Sequence, residues 1–319
     1  MLSIDNLISG EKLQLLCNVI IAFPENITRN PLINHNVKKG NIKFININDL
    51  LKMSANSYNN PKIIFSYSYN ISHFNNPVLL SKFMNPFVLV SHNSDENIDS
   101  LPNIKNILEC DKLIHWWTQN LGIPENNKIS FLPIGIANKM WQHGNPLLYT
   151  DFFNSVNKNP KTLNTIKTNN ILFSFNIFTN PTARNDCKNI ITSKGLVFSN
   201  PGLTPDKYIK KLITYKMALC PVGNGLDTHR LWECFYCGVV PIVIKNDFYT
   251  NIEKYIPMII LNNWNEFNIN DIHEKYENII NQNGLSNKLS NGLWNVYFNN
   301  KYCWFPFWKE QIQKFKFTF

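Results

Sequence analysis

The 319-residue chain has no apolar run near the eighteen or so residues that a membrane-spanning helix requires. Its most apolar early stretch, LQLLCNVIIAF, is broken by Gln14 and Asn18. That stretch also lacks the basic flank and small-residue cleavage site of a secretory leader, so a cytoplasmic protein is expected. No short-period repeat is present, which excludes solenoids and propellers. Lysines never run longer than two in a row, so a basic stripe for nucleic acid is missing although the net charge is +9. The seven cysteines are odd in number and scattered, which argues against a disulfide scaffold. Cys234 and Cys237 form a CxxC with no second CxxC or His pair nearby. Two small core residues on one helix is the reading there, with a redox or zinc site as the alternative.

What is abundant is asparagine, about one residue in six, with much Lys, Ile and Phe. These residues share A/T-rich codons, so the positive charge needs no functional cause. Hydrophobic residues at 44% and aromatics at 13% supply sizeable cores and exclude global disorder.

Apolar runs suited to buried parallel strands fall at 17–23, 42–47, 62–67, 86–92, 113–118 and 129–133. Helical stretches are expected at 48–55, 78–84 and 103–110. After a polar segment, NSVNKNPKTLNTIKTNN (154–170), the alternation restarts. Strands are expected at 171–176, 196–199, 216–220, 239–244 and 258–261, and helices at 181–192, 205–212, 227–237, 247–255 and 271–281. This pattern predicts an α/β protein of two doubly wound, Rossmann-like domains facing a cleft. The domains would be 1–153 and 171–285, with 154–170 as linker and 286–319 as an aromatic, helical tail.

The stretch KMALCPVGNGLDTHRLWECFYCGVVPIVI (216–244) reads strand, tight loop, helix, glycine stop, strand. Gly223, Asn224 and Gly225 permit close backbone approach. Asp227 or Thr228 begins a helix whose free N–H groups suit an anion. His229 and Arg230 add positive charge, and Glu233 follows one turn later on the same general face, placed to accept two hydroxyls of a ribose or sugar. Arg184, in NPTARND at another helix start, is a phosphate contact or a solvated arginine.

On these residues the segment resembles the nucleotide-sugar-binding segment of exostosin-like glycosyltransferases. The match runs through Cys220-Pro221, Gly223, Thr228-His229-Arg230, Glu233 and Gly238-Val239-Val240-Pro241-Ile242. Val222 stands where that family often has Arg, and Arg184 is the residue that would compensate. The resemblance implies a GT-B fold with a C-terminal tail crossing back to the first domain. It implies hexosyl or pentosyl transfer from a nucleotide-sugar, commonly a UDP-sugar, with inversion and without a bound metal or other cofactor. It also implies that Glu233 holds the ribose and Arg230 the diphosphate. The acceptor would be a glycan or glycoprotein.

Inverting transfer needs a base. Strand 86–92 runs into a polar cluster that offers Asp95, Glu96 and His92, with Asp95 first; a helix cap is the alternative there. Asn93, Gln119, Asn120, Gly135, Trp141 and His143 follow other strand ends and are candidates for acceptor binding. A buried tryptophan at a domain seam is the other reading of Trp141. A GT-B-like nucleotide- or glycan-binding scaffold without catalysis is the alternative function.

Overall fold

The fold is taken from a computed structural model, which describes residues 1–59, 62–102, 104–199, 201–282 and 294–315. Of the expected tail, 286–293 and 316–319 lie outside the described residues, as does residue 103 of the expected helix 103–110. The chain forms two compact units. One is Ile8–Ile134 with the chain from Phe307 onward; the other is Met1–Leu7 with Gly135–Pro306.

The unit containing Ile8–Ile134 carries six parallel strands. They are β1 (Val19–Ala22), β2 (Lys43–Asn46), β3 (Ile63–Tyr67), β4 (Phe87–His92), β5 (Leu113–Thr118) and β6 (Ile129–Phe131), in the order β2-β1-β3-β4-β5-β6. Every residue of β1, β3 and β4 is buried, as continuous β-branched and aromatic runs require when helices cover both faces. The order reverses between β1 and β3, so the strand ends there open onto a topological switch point. Trp308, on the C-terminal helix Phe305–Gln313, packs on Trp117 and Phe131 with ring centroids 6.1 and 5.1 Å apart.

The other unit carries β7 (Asn169–Leu172), β8 (Tyr215–Leu219), β9 (Val240–Ile244) and β10 (Ile259–Leu261), all parallel, in the order β10-β9-β8-β7. The helices Pro181–Ser193 and Pro205–Leu212 lie between β7 and β8 in the chain, and His229–Tyr236 lies between β8 and β9. Two parallel α/β sheets therefore match the expected fold class. The finer sheet differs from expectation. Residues 196–199 form no strand: Ser199 gives one backbone hydrogen bond to Phe173, and Phe198 packs its ring on Phe173 and Phe175 instead. Aromatic packing there replaces a ladder.

The units part between Ile134 and Gly135, and the segment read as a linker is folded. It contains most of the helix Thr150–Lys158, all of Thr162–Ile166 and the start of β7. Within it Val156 and Leu163 are buried beneath an Asn- and Lys-rich surface, which gives the segment its polar look. Much of the asparagine also has a local task. Asn30, Asn46, Asn76, Asn180 and Asn246 each accept a backbone N–H at the start of a helix.

Candidate functional site

The Gly loop leaves β8 at its carboxyl end and feeds the helix His229–Tyr236. Its carbonyls are turned back into the protein. Arg184 Nε donates to Val222 O (3.0 Å), Asn180 Nδ2 to Gly223 O (2.8 Å) and Tyr249 Oη to Leu226 O (3.1 Å). The Gly225 and Leu226 N–H groups, by contrast, make no hydrogen bond among the described residues. A Cβ on Gly223 would stand 3.3 Å from Arg184 Nη2 and 3.4 Å from Thr228 Cγ2, so the loop needs glycine for packing. Asn224, between the two glycines, is exposed. Asp227 is buried, and its carboxylate accepts the Trp232 indole N–H at 2.8 Å, which fixes the helix entry.

At the head of the helix three buried polar atoms lack partners: Thr228 Oγ1, Arg230 Nη1 and Tyr208 Oη. Thr228 is the N-cap residue, yet its side chain accepts no helix N–H. The Arg230 guanidinium carbon lies 5.3 Å from the centroid of the Tyr208 ring. Glu233 is 7% exposed and has no ion pair with Arg230 within 4 Å among the described residues. Burial pushes its carboxyl above the usual range; Arg230, and then the nearby Tyr208 hydroxyl, pull it partly back. Tyr149 also faces Glu233, and its buried hydroxyl is unpartnered too. Unpaired buried polar atoms are costly, and four of them around one carboxylate, the Arg230 Nη1 included, mark a place for a ligand.

Arg184 is 7% exposed. Its Nε and Nη1 are committed to Val222 O and Asn176 O (2.6 Å). Burial first, and then repulsion by Arg230, lower its pKa to about 10. Two guanidiniums close enough to repel each other are relieved by an anion. Beside the loop lies a cavity of about 310 Å³, walled by Pro221, Val222, Trp264 and Ala183, with Asn246 and Asn263 on its lining. Both asparagines give Oδ1 to a helix start and keep their amide N–H donors.

The structure brings Gly135, Trp141 and His143 to this same unit. Gly135, at φ +66°, presents its carbonyl 2.8 Å from His229 Nδ1, which therefore carries the proton and donates. The His143 ring meets His229 at 5.9 Å and Trp141 at 6.4 Å. Trp141 is exposed rather than buried.

His92, Asn93, Asp95, Glu96, Gln119 and Asn120 lie in the other unit, at the ends of β4 and β5. Asn93 and Asn120 adopt left-handed φ of 60° and 52°, and the two ends are stitched together. Asn93 N–H donates to Gln119 Oε1 (3.0 Å), and Asn120 Nδ2 to Ser94 O (3.1 Å). His92 is 1% exposed, with Nδ1 3.0 Å from Asn93 Oδ1 and Nε2 3.0 Å from Pro133 O. Burial lowers its pKa against the pull of those two contacts. Both ring nitrogens of this buried histidine are engaged, and His92 holds Asn93 in place. Asn93 continues through Gln14 to the Tyr67 hydroxyl. Asp95 and Glu96 are exposed.

Tyr208 and Tyr149 were not among the residues singled out in the sequence. Their signal was faint: single tyrosines on apolar helix faces, far in sequence from Glu233. The CxxC pair is core. Cys234 Sγ meets Cys220 Sγ at 3.7 Å, while Cys237 lies at the helix end, where its carbonyl accepts Lys167 Nζ at 2.7 Å. Burial raises both thiols, as inert thiols require. No family model and no curated protein matches the chain.

Proposed function

We propose that the chain is a glycosyltransferase of the exostosin-like kind, with a GT-B fold and a nucleotide-sugar donor, a UDP-sugar being expected. The observation that carries this is the set of unpartnered polar atoms at one helix head: Thr228 Oγ1, Arg230 Nη1 and Tyr208 Oη around Glu233. In this reading the diphosphate lies against the N–H groups of Gly225, Leu226 and the first helical turn, between the two arginines. Glu233 accepts the ribose hydroxyls, and the cavity beside Val222 takes the base.

Transfer is inverting and metal-independent, as the resemblance implies. The acceptor hydroxyl oxygen attacks the anomeric carbon, a base removes its proton, and the bond to the diphosphate oxygen breaks. Asp95 and Glu96 remain the proposed bases. Negative charge grows on the leaving diphosphate, so fixed N–H donors and Arg230 favour the transition state over the ground state. Among the described residues no helix is long and apolar enough to cross a membrane.

The test is thermal shift with UDP, GDP and CMP on wild type, Glu233→Ala and Arg230→Ala. One nucleotide should stabilise the wild type by linkage, Glu233→Ala should weaken that binding, and Arg230→Ala should lower turnover. Wild-type binding and transfer in both variants would sink the assignment. A non-catalytic, nucleotide- or glycan-binding scaffold is the second reading. The Val222 side chain supplies no phosphate donor, and Arg184 Nε and Nη1 already bond to carbonyls. A scaffold binds nucleotide but releases none from a donor–acceptor mixture.

A further inference from the structure

The unit that carries the helix His229–Tyr236 also has an open groove of about 790 Å³, within the range of small-ligand sites. It is lined by residues 139–142 and 145–147, Lys139 among them, together with Ile4 and Asp5. Trp141 is 56% exposed on it and Leu147 63%. Around that apolar floor stand the Asp5 carboxylate and the Gln142 and Asn145 amides. Asn145 gives its Oδ1 to Leu147 N–H (3.0 Å) and keeps its Nδ2 donors.

The floor is held firmly. Trp141 N–H bonds to Asn138 O and Gly144 N–H to Trp141 O, both at 2.9 Å. Gly144 sits so close to the chain that a Cβ would lie 2.2 Å from Asn138 O. Behind the groove, ring contacts run from Trp141 to His143 to His229, the last being the first residue of the helix that heads the candidate donor site. One flat ring face edged by a carboxylate and amides complements a molecule with a C–H face and a rim of hydroxyls. That is a sugar ring. A protein partner needs a broader apolar core with fewer polar groups at its centre.

We propose that this groove binds a short saccharide, with Trp141 as its stacking platform and Asp5, Gln142 and Asn145 as partners for its hydroxyls. Calling that saccharide the acceptor rests on the glycosyltransferase reading; the binding does not.

The test is calorimetric titration of the full chain with trisaccharides of glucose, galactose, N-acetylglucosamine and xylose. At least one should bind saturably. Trp141→Ala should weaken it tenfold or more with an unchanged Tm, since the side chain is exposed, and Gln142→Ala severalfold. Glu233→Ala should bind it as wild type does. Failure of every probe on the wild type, or wild-type affinity in Trp141→Ala, overturns the proposal. So does self-association that Trp141→Ala abolishes without any saccharide binding, which would give the groove to a second copy of the chain. Saccharide binding without any nucleotide shift leaves the groove standing and removes the donor reading. Nucleotide binding without saccharide binding does the reverse.

Discussion

Arg184 Nε donates to the carbonyl oxygen of Val222 at 3.0 Å, and the same guanidinium reaches Asn176 O at 2.6 Å. The arginine that the sequence offers as a substitute for a missing cation at 222 is tied to residue 222 itself. It joins the segment after β7 to the Gly loop after β8, and Asn180 adds a second tie at Gly223. Lysine keeps the charge but loses the planar fork. Arg184→Lys should therefore cost up to about 3–6 kcal/mol, the scale of two hydrogen bonds from a charged donor. Hydrogen exchange across 221–228 should accelerate. Urea denaturation with an unchanged midpoint would show that the tie is not structural.

In the proposed donor site, Glu233 sets stability against nucleotide binding. Burial raises its pKa, so the folded state holds the proton more tightly than the unfolded state. Stability from this group falls as pH rises through the folded pKa, and above that pH the penalty is present in full. Glu233→Gln should be more stable than wild type at pH 8 by about 1 kcal/mol, the usual gain at a strained site. In a chain of this size that is roughly a 2 °C rise in Tm. The two proteins should converge at pH 4. Nucleotide affinity should fall at least tenfold in the same variant. A lower Tm at pH 8 would contradict the sign.

All six strands of the first sheet were legible: β1, β3 and β4 as continuous apolar runs buried along their whole length, and the partly exposed β2 and β6 as shorter apolar runs in the same alternation. Failures arose where composition and structure diverge. Asn and Lys on helix surfaces hide Val156 and Leu163, so the end of one helix and the whole of the next read as a linker. At 196–199 an apolar run joins an aromatic cluster without a ladder. In the candidate donor site, the Gly loop and Thr228–Glu233 were readable because they are contiguous. Tyr149 and Tyr208 were not, since only tertiary packing brings them to Glu233. The same limit applies to His92, whose two nitrogens are taken by Asn93 and by Pro133, forty-one residues on.

Gly10 tests that buried network from outside it. A Cβ there would lie 1.8 Å from Asn93 Oδ1 and 2.9 Å from His92 Nδ1. Asn93 has little room to move, since its N–H is held by Gln119 and its Nδ2 by Gln14. Gly10→Ala should lower stability by about 1–3 kcal/mol, the scale of overpacking. The His92 and Asn93 resonances should shift together in NMR spectra. An alanine accepted at no cost would mean the strand ends are loosely held.

Lys167 gives a pH signature separate from any ligand. Its ammonium is buried, with the Cys237 carbonyl as its one hydrogen-bond partner among the described residues, and burial lowers its pKa to about 7. The unfolded chain titrates this group near 10.4. Between those values the unfolded state binds more protons than the folded one, so the Lys167 contribution to stability rises with pH across that window. Below pH 7 both states are charged and the full burial penalty remains. Raising the pH from 7 to 9 should therefore improve wild type relative to Lys167→Met by about 2 kcal/mol, given 1.36 kcal/mol per fully titrated unit. Taking the difference between the two proteins removes the opposing trend of the buried thiols, whose raised pKa values favour the folded state less as pH climbs. Guanidinium denaturation of both proteins at pH 6, 7, 8 and 9 measures that difference. A difference that stays flat across the series would mean Lys167 is protonated throughout, with its charge compensated at the end of the helix His229–Tyr236.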